Sequence, residues 1–119
     1  MASDRSLFVE FLGDYPIIRV LDFLIENDVF DYSKKDVCRH AHVSWNTLQG
    51  FWKRLEKTGI VGFTRKVGKA RLYKINPHNP AVQKLMELDK ALIKKSLEAL
   101  PGSDTRPAVK AVAGNAKRR

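Results

Sequence analysis

Leu7, Phe8, Phe11 and Leu12 recur at helical spacing, and Gly13 closes that short segment, which predicts a brief amino-terminal helix. Asp14 then stands in a capping position, with Pro16 in the first turn, where a missing N–H costs least. Ile17, Ile18, Val20, Leu21, Phe23, Leu24 and Ile25 give the following helix a wide apolar face, so it is expected to be largely buried. Asn27-Asp28 stop it, and Val29-Phe30 read as a short strand. Ser33 and Asp36 form an S-x-x-D capping pair ahead of a helix over about Lys34 to His40, whose inward residues are Val37, Ala41 and Cys38. After the bridge Ala41-His42-Val43, Ser44 caps a helix from Trp45 to about Thr58, and Gly59 suits its left-handed end. Leu48, Trp52 and Leu55 make the inward stripe of that helix, flanked by Trp45 and Phe51. Its other face carries Asn46, Gln49, Gly50, Lys53, Arg54 and Lys57.

Beyond it the period changes from helical to alternating. Ile60 to Thr64 reads as a strand, Val67-Gly68-Lys69-Ala70 as a turn, and Arg71 to Ile75 as a second strand in which Leu72 marks the apolar side. Asn76-Pro77-His78-Asn79-Pro80 interrupts, and a last helix covers about Ala81 to Leu100. Leu85, Leu88, Leu92 and Ala99 form one apolar stripe on it, with Met86, Ile93, Leu97 and Leu100 beside them. Pro101-Gly102 ends it, and the small, polar and basic remainder to Arg119 reads as a flexible tail. No internal repeat is evident. These elements divide the chain into a short helix (1–13), a helix-rich domain closed by a hairpin (14–76), a carboxy-terminal helix (77–100) and a basic tail (101–119).

Charge sharpens this picture. The 119 residues carry a net charge of +9, unevenly placed. Residues 1–31 hold seven acidic groups against two basic, whereas residues 44–75 hold eight basic against Glu56 alone. A cationic middle of this kind suits a polyanionic partner. No apolar run approaches the length of a membrane span, so a membrane partner is not expected. The amino terminus lacks the basic start and apolar stretch of a secretory leader, and the single cysteine, Cys38, has no partner for an internal disulfide. The expected location is therefore the cytoplasm, at the nucleoid. Paired carboxylates, a nucleophile motif and a phosphate-cradling glycine loop are all missing from the sequence, so no enzymatic activity and no cofactor is expected. Cys38, His40 and His42 invite a metal-sensor idea, but side chains two apart on a helix diverge by about 200°, so no metal site is expected.

Two helices joined by a tight turn, followed by a basic hairpin, are the parts of a winged helix-turn-helix. The residues Asp31-Tyr32-Ser33, Val43-Ser44-Trp45 and Leu55-Glu56-Lys57-Thr58-Gly59-Ile60-Val61 resemble archaeal winged-helix transcriptional regulators and, more distantly, MarR-like and ArsR-like families. The resemblance runs from about Pro16 to Ile75 and implies an α+β, mainly α, winged helix-turn-helix fold with a DNA-binding role. Gly50 stands where many MarR-like recognition helices carry Arg, which either lets backbone approach DNA or leaves a gap in base readout.

On this reading Ser44, Trp45, Asn46, Gln49, Gly50, Lys53, Arg54 and Lys57 face duplex DNA from the recognition helix. Asn46 and Gln49 have the chemistry to pair with adenine, and the cations bind phosphate. Arg65, Lys66, Lys69 and Arg71 cluster at the hairpin tip to meet backbone or minor groove. Trp45 is expected to cover the core beside Trp52, with a wedge against DNA as the alternative. Leu85, Leu88, Leu92, Ile93 and Leu97 are expected to pair two copies into a homodimer, which would set two recognition helices in successive major grooves. Expected, then, is a sequence-preferring regulator that binds double-stranded DNA and no evident small molecule. The rivals are a nucleoid-associated or DNA-segregation protein that coats DNA, and a protein-interaction domain whose acidic front docks a basic partner.

Overall fold

A computed structural model describes residues 6–99. Leu100 and the basic stretch 101–119 lie outside the described residues. Within them the chain runs α1 (Leu7–Leu12), α2 (Pro16–Glu26), β1 (Tyr32–Ser33), α3 (Lys34–Ala41), α4 (Trp45–Lys57), β2 (Val61–Val67), β3 (Ala70–Ile75) and α5 (Pro80–Glu98). It is an α+β fold, mainly helical.

Hydroxyl and amide caps start most of these helices. The side chains of Ser6, Ser33 and Ser44 each accept a hydrogen bond of 3.1 Å, from the backbone N–H groups of Val9, Asp36 and Thr47. Each such cap satisfies one of the N–H groups that a helix start leaves unpaired. Asn79 does the same for α5, accepting from Ala81 and Val82. The exception is α2. Its first flanking residue is Tyr15, without a side-chain cap, and Asp14 instead accepts from Arg19 Nη1 at 2.8 Å. Asp14 lies one residue ahead of the cap position, which Tyr15 occupies, so its carboxylate meets Arg19 rather than the helix start.

The core gathers one stripe from each helix. Phe8 of α1, Val20 and Leu24 of α2, Val37 of α3, Leu48 and Trp52 of α4, Ile75 of β3 and Val82 of α5 are almost fully buried. Trp52 meets Tyr73 edge-on at 5.4 Å, joining α4 to the sheet. Arg19 fixes how α3 hands over to α4. Its Nε donates to the Ala41 carbonyl at 2.9 Å and its Nη2 to the His42 carbonyl at 3.0 Å. His42 itself adopts the left-handed conformation, φ 57°, that ends α3. His40 lies flat on Phe23, ring centroids 4.9 Å apart.

The sheet is antiparallel with order β1-β3-β2. The strand expected at Val29-Phe30 does not form. Those side chains are 68% and 58% exposed, and β1 falls at Tyr32–Ser33, where Tyr32 pairs with Tyr73 and Ser33 with Leu72. The hairpin strands also reach further than their alternation suggested, because Val67 pairs with Ala70 and leaves only Gly68-Lys69 as the turn. Gly68, at φ 60°, supplies the positive angle that such two-residue turns need at their first central position. In β3 the inward residues are Tyr73 and Ile75, not Leu72.

Helix α5 rests on its own domain through Val82, buried in the core, and through Leu85, Met86 and Leu88, which pack against it. Further along, Ile93 and Leu97 are exposed, as is Phe11 of α1. No described helix is long and apolar enough to cross a membrane.

Candidate nucleic-acid interface

Helix α4 turns Leu48, Phe51, Trp52 and Leu55 inward. At 100° per residue, Asn46, Gly50, Lys53 and Lys57 then cluster within about 60° of one another on the opposite side. They are exposed, as are Ser44, Gln49 and Arg54. Arg54 lies about 180° around the helix from Trp45, so it marks the far edge of the face.

Trp45 is the clearest departure from expectation. It shares a helix side with Trp52, yet its side chain is 45% exposed where Trp52 is 1% exposed. Seven residues separate them, about 10 Å along the axis, and that carries Trp45 past the end of the core. What it meets there is Lys34. The Lys34 ammonium sits 5.9 Å from the ring centroids of Trp45, Trp52 and Tyr73, and donates to Gln49 Oε1 at 3.2 Å. A cation at that distance from three rings is held by their negative faces.

The hairpin cations do not form a single cluster. Phe63 pairs with Tyr73, but the next residue in register is Arg65, opposite Leu72, which leaves Thr64 as a bulge. The extra residue breaks the two-residue alternation. Arg65 therefore leaves the face that holds Phe63 and Tyr73, and Lys66, opposite Arg71, returns to it. On its own side Arg65 is bound to Asp31, Nε to Oδ2 at 3.0 Å and Nη2 to Oδ1 at 3.3 Å, while the Thr64 hydroxyl donates to Oδ2 at 2.6 Å. The Arg65 and Thr64 hydrogen bonds hold the Asp31 carboxyl at a pKa of about 2. Arg65 is thus midway along the hairpin, paired with a carboxylate on the face away from Phe63 and Tyr73, rather than at the tip.

Arg71 points the other way. Its guanidinium carbon lies 4.1 Å from the Phe63 ring centroid, and its Nε donates to the Tyr73 hydroxyl at 3.2 Å. With Lys69, Ala70, Tyr73, Trp45, Ser33, Lys34 and Lys35 it lines a groove of about 420 Å³ between the start of α4 and the hairpin. Trp45, Lys69 and Arg71 were expected at a binding surface; Lys34 and Lys35 were not. The Ser33 cap is legible in the sequence, but the pairing of Ser33 with Leu72 is not. Because Ser33 is also the last residue of β1, paired with β3, the first turn of α3 must start beside the hairpin.

Among the described residues no group of three or more His, Cys, Asp or Glu side chains is placed to hold a metal ion. No protein-family model matches this chain, and neither does any curated protein or solved structure.

Proposed function

We propose that this protein is a winged helix-turn-helix DNA-binding protein that acts as a homodimeric transcriptional regulator. In this reading α3 and α4 are the helix-turn-helix, α4 enters the major groove, and the β2–β3 hairpin is the wing. One observation carries it: the start of α4 and the hairpin cations Lys69 and Arg71 border one groove, with no acidic residue lining it. In this reading a duplex on the outer face of α4 reaches the hairpin across the Trp45 end of the helix. Asn46 and Gln49 are the exposed amide side chains for base readout, and Lys53 and Lys57 follow the phosphates. The second copy is joined through the outer half of α5, where Ile93 and Leu97 are 44% and 58% exposed.

Gly50, in the middle of the outer face with no side chain of its own, favours a second reading, a protein that coats DNA with little preference for sequence. Competition binding separates the two. A regulator prefers its site to bulk DNA by roughly 10³ or more. A coating protein shows long cooperative footprints instead. In either case Lys53→Ala with Arg54→Ala weakens binding to all duplexes alike and flattens the dependence of affinity on salt. Unchanged affinity and an unchanged slope would refute docking through α4.

A further inference from the structure

We propose that the groove between the start of α4 and the hairpin takes one unpaired nucleotide, its base laid on Trp45 and its phosphate held among Lys34, Lys35, Lys69 and Arg71. The polymer to which that nucleotide belongs rests on the nucleic-acid reading above; the groove chemistry stands on its own.

The groove, about 420 Å³, falls within the size range of small-ligand sites. Four of its eight lining residues are cationic and none is acidic. Cations gathered without a carboxylate repel one another, and an anion relieves that repulsion. Arg65, by contrast, already has its carboxylate in Asp31. The first turn of α3 (Ser33 to Lys35) and the first residue of α4 (Trp45) both open onto the groove. Helix starts carry partial positive charge and N–H groups without helical partners, which adds to the preference for an anion.

Phosphate alone does not account for the walls. Trp45 presents a half-exposed indole to the groove, and Tyr73 lines it as well. The Tyr73 hydroxyl is engaged by Arg71 Nε and the Gln49 amide oxygen by Lys34, while both cations keep further N–H groups for a phosphate. The indole face therefore offers stacking rather than further polar readout. A ligand with a flat aromatic face and a phosphate is a nucleotide. Within a duplex the base faces are already stacked on their neighbours, so the occupant is a base released from pairing, at a strand end, an overhang or an opened pair.

The test uses the full chain with four probes: a blunt duplex, the same duplex with a short thymine overhang, a thymine oligonucleotide, and free thymidine monophosphate. Affinity is read by anisotropy or competition and occupancy of the groove by quenching of tryptophan fluorescence. The overhang is expected to bind about tenfold more tightly than the blunt duplex, with quenching that the blunt duplex does not produce. Trp45→Ala brings the overhang-to-blunt ratio to about one, and Trp45→Phe, which keeps an aromatic face, restores part of it. Circular dichroism and the melting midpoint show that each variant is folded, and Lys69→Glu, on the exposed hairpin turn, provides a second loss of the ratio should Trp45→Ala not fold. A ratio near one in the unaltered protein overturns the proposal while leaving duplex binding intact. Binding of the oligonucleotide without the blunt duplex supports the groove and removes the duplex reading instead. Monophosphate that quenches as tightly as the oligonucleotide supports the same groove with a free nucleotide as its ligand.

Discussion

Gly50→Ala is expected to move stability and DNA affinity in opposite directions. A Cβ built on Gly50 meets no heavy atom within 4 Å, so the protein itself has no need of a glycine there. The position lies in the middle of α4, on its exposed side. Glycine in such a place costs about 0.8–1 kcal/mol relative to alanine, because more backbone freedom is lost on folding. For a folded unit of this size, about 1 kcal/mol corresponds to a rise of roughly 4–8 °C in melting midpoint. If the backbone at Gly50 lies against DNA, the same methyl group stands between helix and groove, and affinity for duplex falls severalfold. Differential scanning calorimetry and titration of a labelled duplex read the two effects on one preparation. A midpoint that stays or drops refutes the account of open space around Gly50. A higher midpoint with unchanged affinity removes Gly50 from the binding surface.

Arg19→Ala is expected to cost about 1.5–3 kcal/mol in a urea melt, since it strips two backbone carbonyls of a charged donor. A loss below a few tenths would refute its role in setting the α3–α4 turn. Asp22 on α2 has a raised pKa, chiefly from burial and further from Asp89 on α5, against a Ser6 hydrogen bond that lowers it; its Oδ1 is buried without a partner. Burial raises the pKa of Asp89 as well, and that of Glu26, to whose shift both aspartates also contribute. The folded state therefore binds these protons more tightly than the unfolded chain does. Their contribution is fully present below the ordinary carboxylate range and is lost as pH rises through the shifted values. Asp22→Asn should accordingly raise the melting midpoint at neutral pH, with the gain vanishing in acid; a gain independent of pH would rule out the electrostatic cause. Ile93→Asp with Leu97→Asp should turn a dimer into a monomer in sedimentation while leaving the melt little changed, and an unaltered dimer would place the seam elsewhere.

The helices were legible because most of their ends carry their own chemistry, α2 being the exception. Ser33, Ser44 and Gly59 mark boundaries that depend on residues at most three apart, and local spacing reports such things well. The sheet was less so. Nothing near Val29-Phe30 announces that the partner for β1 is Tyr73, some forty residues away. Nor does strand alternation reveal that Thr64 is an extra residue, which is why Arg65 was grouped with cations it does not accompany. The outward face of α4 followed from helical phase, since Asn46, Gln49 and Lys53 are exposed as expected. Phase gives an angle but no position along an axis, so Trp45 was assigned to a core that ends before reaching it. Lys34 and Lys35 were overlooked for a related reason: their place beside the hairpin comes from strand pairing and not from any spacing within α3.

The guanidinium of Arg19 has a consequence for association. Carbonyls at the end of a helix are ordinarily left to water, and a partner that expels this water must compensate for the lost hydrogen bonds. Ala41 and His42 already have a partner from inside the molecule. The junction just ahead of α4 can be covered without stripping those two acceptors, so the start of the helix enters a complex in the shape it already holds.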